Sequence, residues 1–183
     1  TSEAEKHLVS DAINRFIEQV LPTKPRNARN LHTQLLWWKE QIGYYSLADV
    51  TPALLSECRD RLINGKTSKG IKRSPGTTNR YLSALSSLFS VCIREWEWLS
   101  NNPLRQINKL KEPKGRIRFL TPDERKQLLQ ACKSSKNPFL YVITVLALST
   151  GMRKGEMLNL QWPDIDLEKG RITLHFTKNS DRR

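Results

Sequence analysis

The residues best suited to chemistry follow the most apolar stretch of the chain. Residues 149–157 read STGMRKGEM and come directly after the run FLYVITVLAL. Glycine allows the tight turn that ends a helix, so Gly151 is expected to direct Arg153 away from the helix end. A guanidinium can hold two oxygens of an anionic group such as a phosphate and stabilise negative charge on them. Glu156 fits two roles that the sequence does not separate: it orients this guanidinium or it caps a short helix.

Cysteine and histidine are placed in a way that argues against a metal site. Three cysteines lie far apart, with no CxxC spacing: Cys58, Cys92 and Cys132. Three histidines are equally scattered: His7, His32 and His175. An odd number of separated cysteines argues against a disulfide framework and against structural zinc. The sequence therefore predicts a reducing, intracellular setting with no metal and no cofactor.

The overall composition is that of a basic globular protein. The 183 residues are 38% apolar and 27% charged, with a mean hydropathy of −0.57. Lysine and arginine number 31 against 18 acidic residues, and the net charge of +13 favours a polyanionic partner, most simply nucleic acid. The longest apolar stretch, residues 138–148, is too short to span a bilayer, and the N-terminus has no signal-peptide pattern. We therefore expect a cytoplasmic protein with no membrane partner.

Helical periodicity divides the first part of the chain, residues 1–104, into four amphipathic helices. The first is predicted to run unbroken from a Ser2–Glu5 capping box to Pro22. The fourth is predicted to begin near Thr77 or Thr78. The apolar stripes, in chain order, are Val9, Ile13, Phe16 and Val20; Ala28, Leu31, Leu35, Trp38 and Ile42; Leu55, Cys58 and Leu62; and Leu82, Leu85, Leu88, Phe89, Cys92, Ile93 and Trp96.

A basic segment, residues 105–118, separates these helices from a part with different patterning. It reads RQINKLKEPKGRIR and is predicted to be a linker. Residues 119–183 contain a nearly all-apolar helix from Pro138 that is expected to be buried on every side. A predicted hairpin with its turn at residues 168–170 follows. A two-stranded hairpin is marginal alone, so this part is expected to be the start of a mixed α/β domain.

Positive charge is concentrated on particular surfaces. Residues 64–80 hold five basic side chains and no acidic one. On the second and fourth helices, short hydroxyl and amide side chains alternate with arginines, which lets a phosphate backbone or a base edge approach closely. An ordinary solvated polar face is the alternative. The candidate DNA-binding residues are Arg26, Arg29, Asn30 and Thr33; Lys66, Lys69, Lys72 and Arg73; Thr77, Thr78, Asn79, Arg80, Ser83 and Ser87; and Arg116 and Arg118.

The pattern around Arg153 continues towards the end of the chain. After the apolar helix it comprises Ser149-Thr150-Gly151, Arg153, Glu156, Leu158, Leu160, Trp162, a predicted hairpin and Thr177-Lys178. This pattern resembles the first catalytic block of the tyrosine recombinases, the phage integrase family. The fourth helix, with TTNRYLSALSSLFSVCIRE, resembles the DNA-contacting helix of that family's core-binding domain.

The resemblance implies a mainly α fold, residue roles and partners. A four-helix, SAM-like core-binding domain in residues 1–104 and the linker 105–118 would precede the truncated α/β start of a catalytic domain in residues 119–183. Arg153 would be catalytic with Glu156 beside it, and Lys178 would protonate the leaving 5′ oxygen; an exposed hairpin lysine is the alternative. The implied partners are double-stranded DNA and other recombinase protomers in a tetrameric synapse, in a bacterial, nucleoid-associated location.

Two parts of the family's mechanism do not appear in this sequence. The family uses a tyrosine that forms a 3′-phosphotyrosyl link and a His-x-x-Arg block, both downstream of the arginine. The four tyrosines all precede Arg153: Tyr44, Tyr45, Tyr81 and Tyr141. We therefore expect an inactive, DNA-binding fragment of a longer site-specific recombinase. The alternative is a non-catalytic DNA-binding regulator or accessory module on the same scaffold.

Overall fold

Amphipathic helices make up most of the structure, a computed structural model that describes residues 2–67, 70–115 and 117–174. The chain divides into two compact units, Thr1–Lys114 and Gly115–Arg183. The first unit holds the main apolar core, and the second holds shorter helices and a two-stranded sheet. The domain boundaries inferred from the sequence stay predictions, and residues 105–114 of the predicted linker fall in the first unit.

The described part of the first unit contains five α-helices and several single helical turns. The helices are α1 (Glu3–Lys6), α2 (Val9–Arg15), α3 (Ala28–Ile42), α4 (Pro52–Asn64) and α5 (Pro75–Arg94). The helical turns are a π turn, Phe16–Val20, which continues α2, and three 3₁₀ turns, Leu21–Thr23, Leu47–Asp49 and Pro103–Gln106. The predicted four-helix pattern is thus present, with α1 and α2 in place of the first predicted helix.

The first predicted helix is interrupted at Leu8. This residue is extended, with φ −81° and ψ 154°, and it pairs with Ser46 in an isolated antiparallel bridge. The Val9 amide donates to the carbonyl oxygen of Tyr45 at 2.9 Å, and the Asp11 carboxylate accepts from the Leu8 amide at 3.1 Å. Backbone groups that a continuous helix would pair internally are satisfied by a neighbouring loop and by a cap. The prediction of one unbroken helix is therefore wrong.

Trp38 lies at the centre of the core and joins α3 to α5. Its side chain is fully buried, and its Nε1 donates to the carbonyl oxygen of Tyr81 at 2.8 Å. The predicted apolar stripes supply the rest of the core, whose fully buried members include Ile13, Phe16, Leu35, Ile42, Leu55, Leu85 and Phe89. Because these stripes face inward, the polar stripes of α3 and α5 are left on the surface.

The second unit begins with a helix whose capping box is as predicted. Thr121 Oγ1 accepts from the Glu124 amide at 3.2 Å, and the Glu124 carboxylate accepts from the Thr121 amide at 3.0 Å. The predicted hairpin is also present and pairs antiparallel, with Ile165 opposite Ile172. The elements are α6 (Pro122–Lys133), α7 (Leu140–Thr150), α8 (Lys154–Leu158), a 3₁₀ turn (Trp162–Asp164), β1 (Ile165–Asp166) and β2 (Arg171–Ile172).

Helix α7 is less covered than its apolar sequence predicts. None of its residues is fully buried, and Val142 is 63% exposed. An apolar residue on every face identifies a helix suited to complete burial, but burial itself depends on the elements around it. Among the described residues, α6 and α8 pack against α7 and leave part of its surface open. The expectation of burial on every side is therefore wrong for the structure described.

Candidate nucleic-acid interface and phosphate-binding arginine

A polar groove runs between α3 and α5. Its lining residues are Asn27, Asn30, Leu31 and Gln34 on the side of α3, and Arg80, Ser83, Ala84 and Ser87 on the side of α5. Each set repeats at intervals of three and four residues, so each is one stripe of a helix. The structure thus brings four of the predicted DNA-binding residues together. Asn27 and Gln34 are absent from the predicted set, although their helical spacing from Asn30 is a signal that identifies them.

The groove presents both hydrogen-bond donors and acceptors. The Ser83 hydroxyl donates to the Asn79 carbonyl oxygen at 2.9 Å, and the Ser87 hydroxyl donates to that of Ser83 at 3.0 Å. Each hydroxyl oxygen keeps its lone pairs as acceptors. Arg80 is exposed and supplies donors, and none of the described lining residues is acidic. This combination suits phosphate oxygens and the edges of bases.

Three further predicted residues lie close to the groove in sequence but do not line it. Arg26, Arg29 and Thr33 are all exposed. The Thr33 hydroxyl donates to the Arg29 carbonyl oxygen at 3.0 Å, which keeps its side chain against the helix. Because Arg29 and Thr33 each precede a lining residue by one position, they occupy the neighbouring stripe of α3. The two arginines therefore add positive charge close to one side of the groove.

The basic loop between α4 and α5 is a small hairpin in its described residues. Lys66 and Lys72 pair in an isolated antiparallel bridge, and both side chains are exposed. Gly70 has φ 74°, the left-handed conformation that a tight turn requires. Two lysines at the base of one hairpin can reach a phosphate backbone together. Lys69 and Arg116, which are also predicted to bind DNA, lie outside the described residues.

The first turn of α5 directs predicted DNA-binding residues into the protein. The helix begins at Pro75, and Ser74 Oγ accepts from the Thr77 amide at 3.2 Å. Thr78 is fully buried, and Asn79 is only 6% exposed. The Asn79 amide group forms hydrogen bonds within the first unit. The side chains of Thr78 and Asn79 are therefore packed inside the first unit.

Two other predicted DNA-binding arginines have partners in the protein. Arg73 is half-buried, and its Nη1 donates to the carbonyl oxygen of Leu62 at 3.5 Å. Arg118 pairs with Glu124 in the second unit, and its side chain is 74% exposed. An exposed ion pair of this kind contributes little stability. Arg118 can therefore exchange its partner for a phosphate more readily than Arg73 can.

Replacing Thr78 tests whether its side chain is buried in the protein and makes no contact with DNA. Thr78 Oγ1 is buried without a hydrogen-bond partner among the described residues. Thr78→Val keeps the shape and removes the unpaired hydroxyl, so the free energy of unfolding in urea is expected to rise by about 1 kcal/mol. The affinity for duplex DNA should not change. A weaker DNA complex from a variant that is no less stable would show instead that Thr78 contacts DNA.

Arg153 lies at the turn between α7 and α8. The C-cap of α7 is Gly151, with φ 64° and ψ 19°, and Arg153 follows in an extended conformation as the N-cap of α8. The Glu156 carboxylate accepts from the Arg153 amide at 2.9 Å and from its Nη1 at 2.8 Å. Glu156 thus caps α8 and orients the guanidinium at the same time, which are the two roles that the sequence leaves open.

Burial distinguishes the two members of this pair. The Glu156 side chain is 9% exposed, whereas the Arg153 side chain is 56% exposed. A carboxylate held in the protein fixes the orientation of a guanidinium whose side chain is more than half exposed. This arrangement is able to bind an anion such as a phosphate. Lys178, the other predicted catalytic residue, lies outside the described residues.

The three cysteines are buried, as predicted. Burial raises the pKa of the Cys92 thiol to about 12 and also raises the pKa of Cys58. Both therefore stay protonated and unreactive near neutral pH.

Within residues 2–67, 70–115 and 117–174, no cluster of three or more His, Cys, Asp or Glu side chains is placed to hold a metal ion. No helix in the same ranges is long and apolar enough to cross a membrane.

Two successive stretches of the chain match models of one family. The model of the phage integrase N-terminal domain matches residues 6–111, more than half of the chain. The chain belongs to the phage integrase family. A second model, of the phage integrase family itself, matches residues 118–183. The resemblance to tyrosine recombinases, with a core-binding domain and part of a catalytic domain, is confirmed.

Relatives in the phage integrase family are longer than this chain. The shufflon-specific DNA recombinase of Escherichia coli is 34% identical over 181 residues, which cover 97% of this chain and 46% of that protein. The integrase of Salmonella phage P22 is 34% identical over 116 residues, which cover 61% of this chain and 28% of that protein. The chain therefore spans less than half the length of these two relatives.

Solved integrase structures share the fold. A lambda integrase tetramer bound to a Holliday junction matches with a TM-score of 0.76 at 20% identity, covering 97% of this chain and 50% of that chain. A lambda integrase dimer bound to a COC′ core site matches with a TM-score of 0.71 at 20% identity, covering 94% of this chain and 46% of that chain. The predicted fold class, a mainly α core-binding domain followed by the start of an α/β catalytic domain, is confirmed.

Proposed function

We propose that this chain is the DNA-binding part of a site-specific tyrosine recombinase and that the groove between α3 and α5 contacts duplex DNA. The observation that carries the proposal is the lining of the groove: Asn30, Arg80, Ser83 and Ser87 lie together with no acidic residue among the described lining residues. Membership of the phage integrase family and the net charge of +13 support it.

The residues divide into two kinds of DNA contact. Exposed cations outside the groove would bind phosphates and hold the protein on the duplex without reading sequence: Arg26, Arg29, Lys66 and Lys72. Inside the groove, the guanidinium of Arg80 matches the two acceptors of guanine in the major groove. The amides of Asn30 and Gln34 match the donor and acceptor of adenine in the same way. Specificity would therefore come from the groove and most of the affinity from the surrounding charge.

Arg153 would act in the chemical step. Its exposed guanidinium, oriented by Glu156, would hold the non-bridging oxygens of the scissile phosphate and stabilise the charge that develops on them. Lys178 would protonate the leaving 5′ oxygen. The family's 3′-phosphotyrosyl intermediate needs a tyrosine downstream of Arg153, and this sequence contains none there. The complete recombinase would break and rejoin DNA as a tetramer of protomers on double-stranded DNA.

Two arginines with the same charge test the groove. Arg80→Ala removes a guanidinium from the groove, whereas Arg105→Ala removes an exposed one from the 3₁₀ turn at Pro103–Gln106. Arg80→Ala is expected to weaken binding to a cognate duplex about tenfold or more, because it removes a base-reading contact. Arg105→Ala should weaken it less than about twofold.

The measurement is fluorescence anisotropy with a labelled duplex at several salt concentrations. With roughly 5 to 8 phosphates neutralised, the plot of log K against log salt should have a slope between about −4 and −7. Equal losses from the two substitutions would contradict the assignment of Arg80 to the interface. An affinity that does not change with salt would contradict DNA binding by this surface.

A further inference from the structure

Asn79 binds a distant segment of its own chain. Its Nδ2 donates to the Leu110 carbonyl oxygen at 2.9 Å and to Glu112 Oε1 at 2.8 Å. Its Oδ1 accepts from the Leu110 amide at 2.9 Å. The partners are 31 and 33 residues away in sequence, and all belong to the first unit. The side chain thus uses both its donors and its acceptor to hold residues 110–112 on α5.

Glu112 is seated directly against the start of α5. A Cβ atom at Gly76, in the first turn of this helix, would lie 2.8 Å from Glu112 Oε2, so the carboxylate is in close contact with the helix backbone there. The N-terminus of a helix carries a partial positive charge, which favours a carboxylate beside it. Asn79 and the first turn of α5 therefore hold Glu112 from two sides.

A second anchor lies just upstream. The Asn108 carbonyl oxygen accepts from Arg59 Nη1 of α4 at 3.2 Å. The chain is therefore fixed to the helical bundle as far as Glu112, and without the Asn79 contacts it would be fixed only as far as Asn108. The difference is four residues of free chain, which is about 14 Å of reach for an extended segment.

We propose that the contacts of Asn79 with residues 110–112, here called the latch, hold this segment on α5. The latch would shorten the tether, which is the free chain between the last anchored residue of the first unit and the start of the second unit. Asn79 would then be a positioning residue for DNA binding, not a residue that reads bases. The proposal rests on the proposed function, because a short tether matters when both units meet the same duplex. Once the first unit is bound, a shorter tether raises the effective concentration of the second unit at the DNA.

Limited proteolysis of the free, full chain tests the latch without DNA. Asn79→Asp loses both donated bonds and places a second carboxylate against Glu112. Tryptic cleavage after Lys109 and Lys111, followed by mass spectrometry, is expected to be about tenfold faster in this variant. Adding Glu112→Gln supplies an amide that can donate to the new carboxylate, so the double variant should return to within about twofold of the wild-type rate.

A matched variant separates the latch from a general loss of stability. Trp38→Phe removes the hydrogen bond to the Tyr81 carbonyl oxygen and so weakens the same unit without touching residues 108–112. Cleavage after Lys109 and Lys111 should stay near the wild-type rate in this variant. Unchanged cleavage in Asn79→Asp, or equal acceleration in Asn79→Asp and Trp38→Phe, would overturn the latch.

Duplex length tests the positioning role. Asn79→Ala opens the latch without adding a charge. Its affinity for a duplex long enough for both units is expected to fall about twofold to threefold, while its affinity for a duplex that fits only the first unit stays at the wild-type value. Equal losses on both duplexes would overturn the positioning role. A wild-type chain that binds neither duplex would overturn the proposed function, while the proteolysis result would still decide whether the latch exists.

Discussion

A nicked duplex that traps cleavage products is expected to bind this chain and to form no covalent protein–DNA adduct. Such an adduct needs a hydroxyl that attacks the scissile phosphate while positioned charges stabilise the transition state. Arg153 and Glu156 supply positioned charge, but all four tyrosines precede Arg153 in the sequence. Charge stabilisation without a nucleophile yields binding only.

The surroundings of the tyrosines support this expectation. The Tyr44 and Tyr45 rings lie 4.5 Å apart, and hydrogen bonding to Tyr44 raises the pKa of Tyr45 above its ordinary value. The Tyr81 ring packs edge-on against Trp37 at 5.7 Å. Tyr141 lies on α7, with the Lys133 amine 5.0 Å from its ring centroid. Each of these four rings therefore contacts a neighbouring side chain of its own unit.

Arg153 gives the matching prediction for chemistry. Arg153→Ala should change the affinity of this chain for duplex DNA by less than about twofold, because the guanidinium acts on the transition state. In a recombinase that extends this chain to a nucleophilic tyrosine, the same substitution should slow cleavage about 10²- to 10³-fold. Arg171→Ala, an exposed arginine of β2 in the same unit, serves as the control and should leave cleavage near the wild-type rate.

A denaturing gel decides the first of these expectations. The duplex is incubated with the chain, and any protein that migrates with the DNA after denaturation is covalently bound. A complete member of the family serves as the positive control. If this chain forms such a band, one of its four tyrosines is the nucleophile, and the corresponding Tyr→Phe variants would identify it.

The turn at Arg153 could be predicted from the sequence because its determinants are local. Gly151 ends one helix, and Glu156 lies three residues after Arg153, which is the spacing of a capping box. Both signals act within one turn of helix. The sequence does not show that the Glu156 carboxylate accepts from the Arg153 amide and from its guanidinium at the same time. That arrangement depends on the side-chain rotamers in the folded chain.

The inward placement of Asn79 could not be predicted in the same way. Helical periodicity assigns a residue to a face by its distance from the apolar stripe, and a polar residue is then assigned to the surface. Asn79 is instead buried by residues 110–112, which belong to a segment that reads as a linker. A contact between residues so far apart in sequence leaves no local signal.

For helix α7, the sequence predicts the helix but not how much of it is buried. Its residues predict a helix correctly, since they are apolar over a length of three turns. Whether each face is covered depends on the neighbouring elements, which the helix's own sequence does not encode. The groove between α3 and α5 could be predicted in part. The polar stripe of each helix can be identified from its sequence, but that the two stripes line one groove depends on the packing of α3 against α5, to which Trp38 contributes.

Site-directed photocrosslinking tests most directly whether the groove contacts duplex DNA. Ser87→Cys places a thiol in the groove, and Glu57→Cys places one on α4, beside Asp60 and outside the groove. The native cysteines are buried, and the pKa of Cys92 is raised to about 12, so an aryl-azide reagent should label only the introduced thiol.

The labelled variants are irradiated with duplex DNA at low salt and at high salt. We expect the Ser87→Cys variant to crosslink at low salt, to lose the crosslink as salt rises, and to exceed the Glu57→Cys variant about tenfold or more. Equal crosslinking from the two positions, or none from Ser87→Cys under conditions where the chain binds DNA, would contradict the assignment of the groove as the DNA interface.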